Sequence, residues 1–133
     1  MEKLSTNPAT AEWIEKAEGD FATAGRELRA RKSPNYDAVC FHAQQCAEKY
    51  LKAVLQENER HIPKIHNLIE LMLLCEEIDS SFEMLRSDLV VMERFSVRVR
   101  YPGEFAEKTD AQSAYAAAKT TRMFIRQKLG LKG

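Results

Sequence analysis

The apolar positions near the amino terminus repeat with the spacing of an α-helix. They follow one another at steps of three or four residues and are Trp13, Ala17, Phe21, Ala24 and Leu28. Such steps place side chains on one stripe of a helical surface. The pattern predicts a helix over about residues 9–31, with this stripe facing a hydrophobic core.

The next helix-length segment has two different faces. Ser33 as a cap and Pro34 at the first helical position predict a helix that ends near Asn58. At 100° per residue, one face is small and apolar and consists of Val39, Ala43, Cys46, Ala47, Tyr50 and Val54. The opposite face carries Phe41, Gln45, Glu48 and Lys52.

Three more apolar stripes predict helices in the rest of the chain. One begins after Pro63, one begins at Ser81 with that serine as its cap, and the last spans about residues 110–129 with Asp110 as its cap. The turn-forming residues 101–103 precede the last helix. The positions in helical phase are Ile65, Leu68, Met72 and Cys75, then Leu85, Leu89, Met92 and Val99, then Ala114, Ala118, Thr121, Ile125 and Leu129.

These segments predict an all-α fold, because none alternates apolar and polar residues as a half-buried strand does. Four long helices with short connections favour an up-and-down bundle, with the shorter third helix packed against it. The chain has 133 residues, 44% of them apolar, so we expect one domain over residues 1–133 with a single core.

Charge and hydropathy narrow the classes of function. Twenty basic side chains balance twenty acidic ones, which excludes a uniformly basic nucleic-acid-binding surface but allows local basic patches. No apolar run approaches the roughly 18 residues that a membrane helix needs, and the amino terminus lacks a signal-peptide pattern. We therefore expect a cytoplasmic protein without a membrane anchor.

The cysteines and histidines do not form a metal-binding pattern. Cys40, Cys46 and Cys75 lie among apolar helical neighbours without a Cys-x-x-Cys pair, so we predict buried thiols. The three histidines are scattered and have no carboxylate at ligand spacing. We expect neither a metal ion nor a resident cofactor.

The polar face of the second helix has two interpretations. Gln45, Glu48 and Lys52 lie in one line beside Phe41, which would suit a cleft, since buried polar groups require partners. Alternatively, the face is solvated and Glu48 and Lys52 form an i, i+4 ion pair worth only a few tenths of a kcal/mol. Helical periodicity does not choose between these interpretations.

The loop before the last helix is a second candidate site. Arg98 and Arg100 offer guanidinium groups that can bind a phosphate, and Tyr101 can stack on a base. Alternatively, Pro102 and Gly103 only form the turn, and the arginines pair with Glu93, Glu104 or Glu48. If the loop met the Gln45, Glu48 and Lys52 face across a groove, the two would form one polar cleft.

Three segments resemble the HEPN domain family, the higher-eukaryote and prokaryote nucleotide-binding domain. They are FHAQQCAEKYLKA at residues 41–53, HNL at residues 66–68 and RYPG at residues 100–103. The resemblance covers nearly the whole chain and implies a bundle of four or five helices that commonly dimerises. It also implies that His66 belongs to a His-x-Leu segment that is structural or lines a cleft. Many members are encoded beside, or fused to, a small nucleotidyltransferase.

The ribonuclease and toxin branches of this family use an arginine followed, after four to six residues, by a histidine just before the last helix. This chain has no histidine after His66, so that catalytic base is missing. We therefore expect a non-catalytic module that binds either a nucleotide or a partner protein, is homodimeric in the way the resemblance implies, and acts with a nucleotidyltransferase-type partner. The expected ligand is a nucleotide or RNA. The alternative is a metal-independent ribonuclease, or the toxin of a toxin–antitoxin pair, with its site at the dimer cleft. The candidate ligand-binding residues are Arg98, Arg100, Tyr101, Gln45, Glu48, Lys52 and His66.

Overall fold

The structure is a computed structural model that describes residues 7–98 and 101–133, without the side chains of residues 96–98. Its helices are α1 (Pro8–Leu28), α2 (Tyr36–Glu57), α3 (Leu68–Glu76), α4 (Arg86–Arg98) and α5 (Lys108–Lys128), and a 3₁₀ segment (Ser80–Leu85) precedes α4. The described residues contain no β-strand. The prediction of an all-α bundle, with one shorter helix beside the long ones, is confirmed. No helix in the described ranges is both long and apolar enough to cross a membrane.

Helix α2 is the centre of the bundle, since it packs against α1, α3, α4 and α5. Its predicted apolar face is confirmed, because each of its members is at most 3% exposed. Ala17 and Ala24 of α1 have no exposed surface, and neither have Ala43 and Ala47 of α2. Small side chains at such a contact allow two helices to approach closely. Larger side chains, such as Leu51, fill the core, where burying one leucine contributes about 1.5–3 kcal/mol.

The start of α2 differs from the prediction. Asn35 is the N-cap, and its side-chain oxygen accepts a hydrogen bond from the backbone N–H of Ala38 at 3.0 Å. Ser33 cannot cap the helix from where it stands, because its φ is 46° and an N-cap residue has extended backbone angles. The predicted Ser33 cap, with Pro34 in the first turn, is therefore wrong.

The N-caps of the later helical segments also differ from the predicted ones. Asn67 caps α3, so the chain after Pro63 continues outside the helix as far as this cap. Asp79 caps the 3₁₀ segment by accepting from the N–H of Ser81 at 2.9 Å, so Ser81 is not the cap. Helix α5 starts earlier than predicted, and its N-cap is Glu107, so the predicted Asp110 cap is wrong. Asp110 is the third residue of the helix and accepts from the N–H of Glu107 at 2.9 Å.

The three cysteines are free and fully buried, as predicted. Burial raises the pKa of the Cys75 thiol to about 12. Burial is also the main cause that raises the pKa of Cys46, and the carboxylates of Glu18 and Asp20 raise it further. Since the thiolate is the reactive form, the raised pKa values of Cys46 and Cys75 indicate packing residues rather than nucleophiles.

Candidate functional site

A polar cluster lies on the face of α2 that the sequence singled out. It consists of Gln44, Gln45, Glu48 and Lys52 of α2 together with His66, which precedes α3, and we call it the Glu48 cluster. Glu48 is 4% exposed and Lys52 is 5% exposed. The solvated interpretation is therefore wrong for Glu48 and Lys52, although the i, i+4 ion pair that it assumed does form. Phe41, on the same face, is 51% exposed.

The Glu48 carboxylate is surrounded by hydrogen-bond donors. Its Oε2 accepts from Lys52 Nζ at 3.0 Å and lies 3.0 Å from His66 Nδ1, while its Oε1 accepts from Gln44 Nε2 at 3.4 Å. A buried carboxylate is stable only when it is paired and hydrogen-bonded. These contacts meet that condition and leave little of the carboxylate for a ligand.

Both the backbone and the ring of His66 make hydrogen bonds that hold this residue at the surface. Its carbonyl accepts from Gln44 Nε2 at 3.0 Å, and two residues later the N–H of Leu68 donates to Glu93 Oε1 at 3.0 Å. These bonds fix the segment between α2 and α4. The His66 side chain is nevertheless 72% exposed, so its ring rests on Glu48 and faces solvent.

Two further contacts extend the cluster. Gln45 donates to Gln44 Oε1 at 2.9 Å, which joins a partly exposed amide to the buried network. Lys52 Nζ lies 5.7 Å from the centre of the Trp13 ring in α1, a distance at which a cation–π interaction stabilises a buried ammonium. Gln44 is not among the predicted site residues, although it lies four residues before Glu48, because it falls between the two faces of the helical wheel.

The second candidate site is only partly described. Arg100 and the side chain of Arg98 lie outside the described residues, so the proposed meeting of this loop with the Glu48 cluster stays a prediction. Tyr101 is 63% exposed at a turn in which the N–H of Glu104 donates to the Tyr101 carbonyl at 3.1 Å. Gly103 has a φ of 87°, a conformation that favours glycine.

A second polar network, which was not predicted from the sequence, joins α1 to α2 and α5. Glu18 accepts from Tyr50 Oη at 2.5 Å and from Arg122 Nε at 2.7 Å. Asp20 lies 2.7 Å from His42 Nδ1 and accepts from Lys49 Nζ at 2.5 Å. Glu18 and Asp20 flank the predicted apolar stripe of α1, and that position was the available signal.

The electrostatics of Glu18 indicate a structural role. Burial opposes its ionisation, but hydrogen bonds from Arg122 and Tyr50 outweigh burial and hold the pKa of this carboxyl below its ordinary value. Burial and the bond to Glu18 raise the pKa of Tyr50, so the phenol stays protonated and donates. The network therefore links three helices with all its charges paired.

Comparisons with known proteins agree with this architecture. Residues 10–128 match the model of the HEPN domain family. The chain is similar in structure to TT1696 from Thermus thermophilus, with a TM-score of 0.74 and 23% sequence identity over 90% of this chain and 97% of that chain. No curated protein matches the chain. The family match spans most of the sequence, and we conclude that the chain belongs to the HEPN domain family.

Proposed function

We propose that this chain is a non-catalytic HEPN module that binds a nucleotide or RNA and acts, as a homodimer, with a nucleotidyltransferase-type partner. HEPN domains are nucleotide-binding or ribonuclease modules, and the family match supports this range of functions. The observation that carries the proposal is the Glu48 cluster. A buried polar network that ends at the surface in an amide and an imidazole is suited to recognition by hydrogen bonds.

The bonding of Glu48 favours binding over hydrolysis. Its charge is compensated by Lys52 Nζ at 3.0 Å, and its oxygens already accept from three side chains. A carboxylate in this state is poorly suited to act as a general base or to hold a magnesium ion. In this proposal the partner supplies the metal-binding carboxylates that nucleotidyl transfer requires.

The partner is tested by purifying the tagged protein from its native cell at near-physiological expression and identifying the co-purifying proteins by mass spectrometry. We expect a nucleotidyltransferase-like protein in stoichiometric amount. Recovery of the chain alone, in repeated preparations and at low salt, would remove the partner from the proposal.

Ligand binding is tested with a panel of nucleoside triphosphates and a short single-stranded RNA, using calorimetry on the full chain. We expect the double variant Arg100→Ala, Tyr101→Ala to weaken binding by at least about tenfold, through loss of a phosphate contact and a stacking contact. Met84→Ala is the control, because Met84 is 73% exposed on the 3₁₀ segment. Wild-type affinity in the double variant would exclude the loop from the site.

One observation favours a second candidate, a metal-independent ribonuclease or toxin. Glu48 holds Nδ1 of His66, and a carboxylate that orients an imidazole is a common arrangement in acid–base catalysis. This candidate predicts that purified protein cleaves RNA in the presence of a chelator and that His66→Ala abolishes the cleavage. RNA that remains intact at high protein concentration would exclude it.

A further inference from the structure

The contact between Glu48 and His66 determines which ring nitrogen carries the proton. A neutral imidazole has a single N–H, and an ionised carboxylate only accepts hydrogen bonds. Since Nδ1 lies 3.0 Å from Glu48 Oε2, the neutral ring carries its proton on Nδ1. The Nε2 lone pair then belongs to the part of the ring that faces solvent, because the side chain is 72% exposed.

The contacts of the ring leave Nε2 available for a second N–H. Glu48 of α2 lies 3.0 Å from the ring and is itself paired with Lys52, whereas Glu93 of α4 accepts from the backbone N–H of Leu68, two residues further along the chain. Since the charges of Glu48 and Lys52 compensate each other, a neutral ring offers an anion neither a positive charge nor a donor at Nε2. A proton on Nε2 makes the ring cationic and turns this nitrogen into a charge-assisted donor on the exposed side chain.

We propose that His66 binds an oxyanion of the phosphate class by taking up one proton at Nε2, while Nδ1 remains hydrogen-bonded to Glu48. This inference rests on the proposed function, since it assigns the phosphate of the nucleotide or RNA to His66. Glu48 acts as a positioning residue, because it touches the imidazole and not the ligand. Lys52 compensates the charge of Glu48 from inside the bundle.

The first test is NMR of the ring nitrogens in ¹⁵N-histidine-labelled full-length protein without ligand. We expect neutral His66 to carry its proton on Nδ1. His61 is exposed and lies outside the Glu48 cluster, so it serves as the internal reference. A neutral His66 protonated on Nε2 would overturn the proposal. This readout does not depend on any nucleotide or partner.

The second test uses sulfate as the probe, because sulfate does not titrate near neutral pH. We expect sulfate to bind about fivefold or more tightly at about pH 6 than at about pH 8, and the titration curve of His66 to move to higher pH in sulfate than in chloride at equal ionic strength. Absence of sulfate binding, or an affinity that does not change with pH, would contradict the proposal.

Two exposed histidines provide matched variants for the sulfate measurement. His66→Gln keeps a polar side chain on the surface and should abolish the pH dependence, whereas His61→Gln should retain it. A pH dependence that survives in His66→Gln would assign the proton to another group and overturn the inference. If proton-linked sulfate binding is found but no nucleotide, RNA or partner binds, the proposed function fails and this inference stands.

Discussion

Two glutamate–lysine pairs with the same i, i+4 spacing lie in opposite environments. Glu12 and Lys16 of α1 have side chains that are 70% and 61% exposed, with the two charges 3.7 Å apart. Glu48 and Lys52 of α2 have side chains that are 6% and 7% exposed, with the charges 3.0 Å apart. An exposed pair gains little because water screens it, whereas a buried pair cannot lose one member without leaving an uncompensated charge.

We expect Glu48→Ala to lower the free energy of unfolding by about 3–5 kcal/mol, because Lys52 would remain buried without its carboxylate. The matched variant Glu12→Ala should cost less than about 1 kcal/mol. Urea denaturation followed by circular dichroism measures both losses. Similar losses in the two variants would show that burial does not determine how much the Glu48–Lys52 pair contributes to the free energy of unfolding.

Two glycines of α1 give a second comparison between single residues. A Cβ atom added at Gly19 would meet nothing within 4 Å, whereas one added at Gly25 would lie 3.1 Å from Arg29 Nη1 and from Tyr115 Oη. We expect Gly19→Ala to raise the free energy of unfolding by about 0.5–1 kcal/mol, since alanine loses less conformational entropy in a helix. Gly25→Ala should be less stable than Gly19→Ala in the same denaturation assay. The reverse order would contradict this explanation.

At the scale of the element, the helices are more predictable from the sequence than their first residues. A stripe of four or five apolar positions determines a helix, because burial requires all of them to face one way. A cap requires only one residue with a polar side chain and extended backbone angles, and several residues of suitable type lie near each helix start. Ser33 and Asn35 are both suitable by type, and only the backbone angles of Ser33 exclude it.

The cap of the 3₁₀ segment predicts a pH dependence. Hydrogen bonds from Ser81, followed by one from Lys128, hold the pKa of Asp79 at about 2, below its ordinary value of 3.8. Because the folded-state pKa is lowered, the stability that Asp79 contributes is present above the ordinary value and is lost as the pH falls towards about 2. We expect the stability difference between wild type and Asp79→Asn to shrink over this window in urea denaturation. A stability difference that does not vary with pH would show that Asp79 stabilises the fold through its shape and not through its charge.

At the scale of the whole molecule, the sequence located part of the candidate site. Gln45, Glu48 and Lys52 share one helix, so their common face follows from helical geometry. The contact of His66 with Glu48 spans 18 residues of sequence and forms only when α3 packs against α2. The bond from Arg122 to Glu18 spans 104 residues and could not be found from helical periodicity. Contacts of this kind depend on the packing of the helices, which spacing within one helix does not specify.

The homodimer in the proposed function gives a prediction for the assembly. Phe41 is 51% exposed on α2, on the same face as the Glu48 cluster, although α2 is otherwise the most enclosed helix. A second copy of the chain that covered this face would bury the ring of each protomer, and aromatic residues in such positions often dominate an interface. We therefore expect Phe41→Glu to weaken dimerisation by at least about tenfold.

Light scattering after size-exclusion chromatography, over a range of protein concentrations, measures this change. Met84→Glu is the matched control, because Met84 is the more exposed side chain and lies on the 3₁₀ segment. If Phe41→Glu dimerises like wild type, the dimer forms through another face and the Glu48 cluster stays open to solvent in it. If wild type is a monomer throughout, the homodimer fails, but binding at His66 does not, because the described contacts that orient its ring lie within one chain.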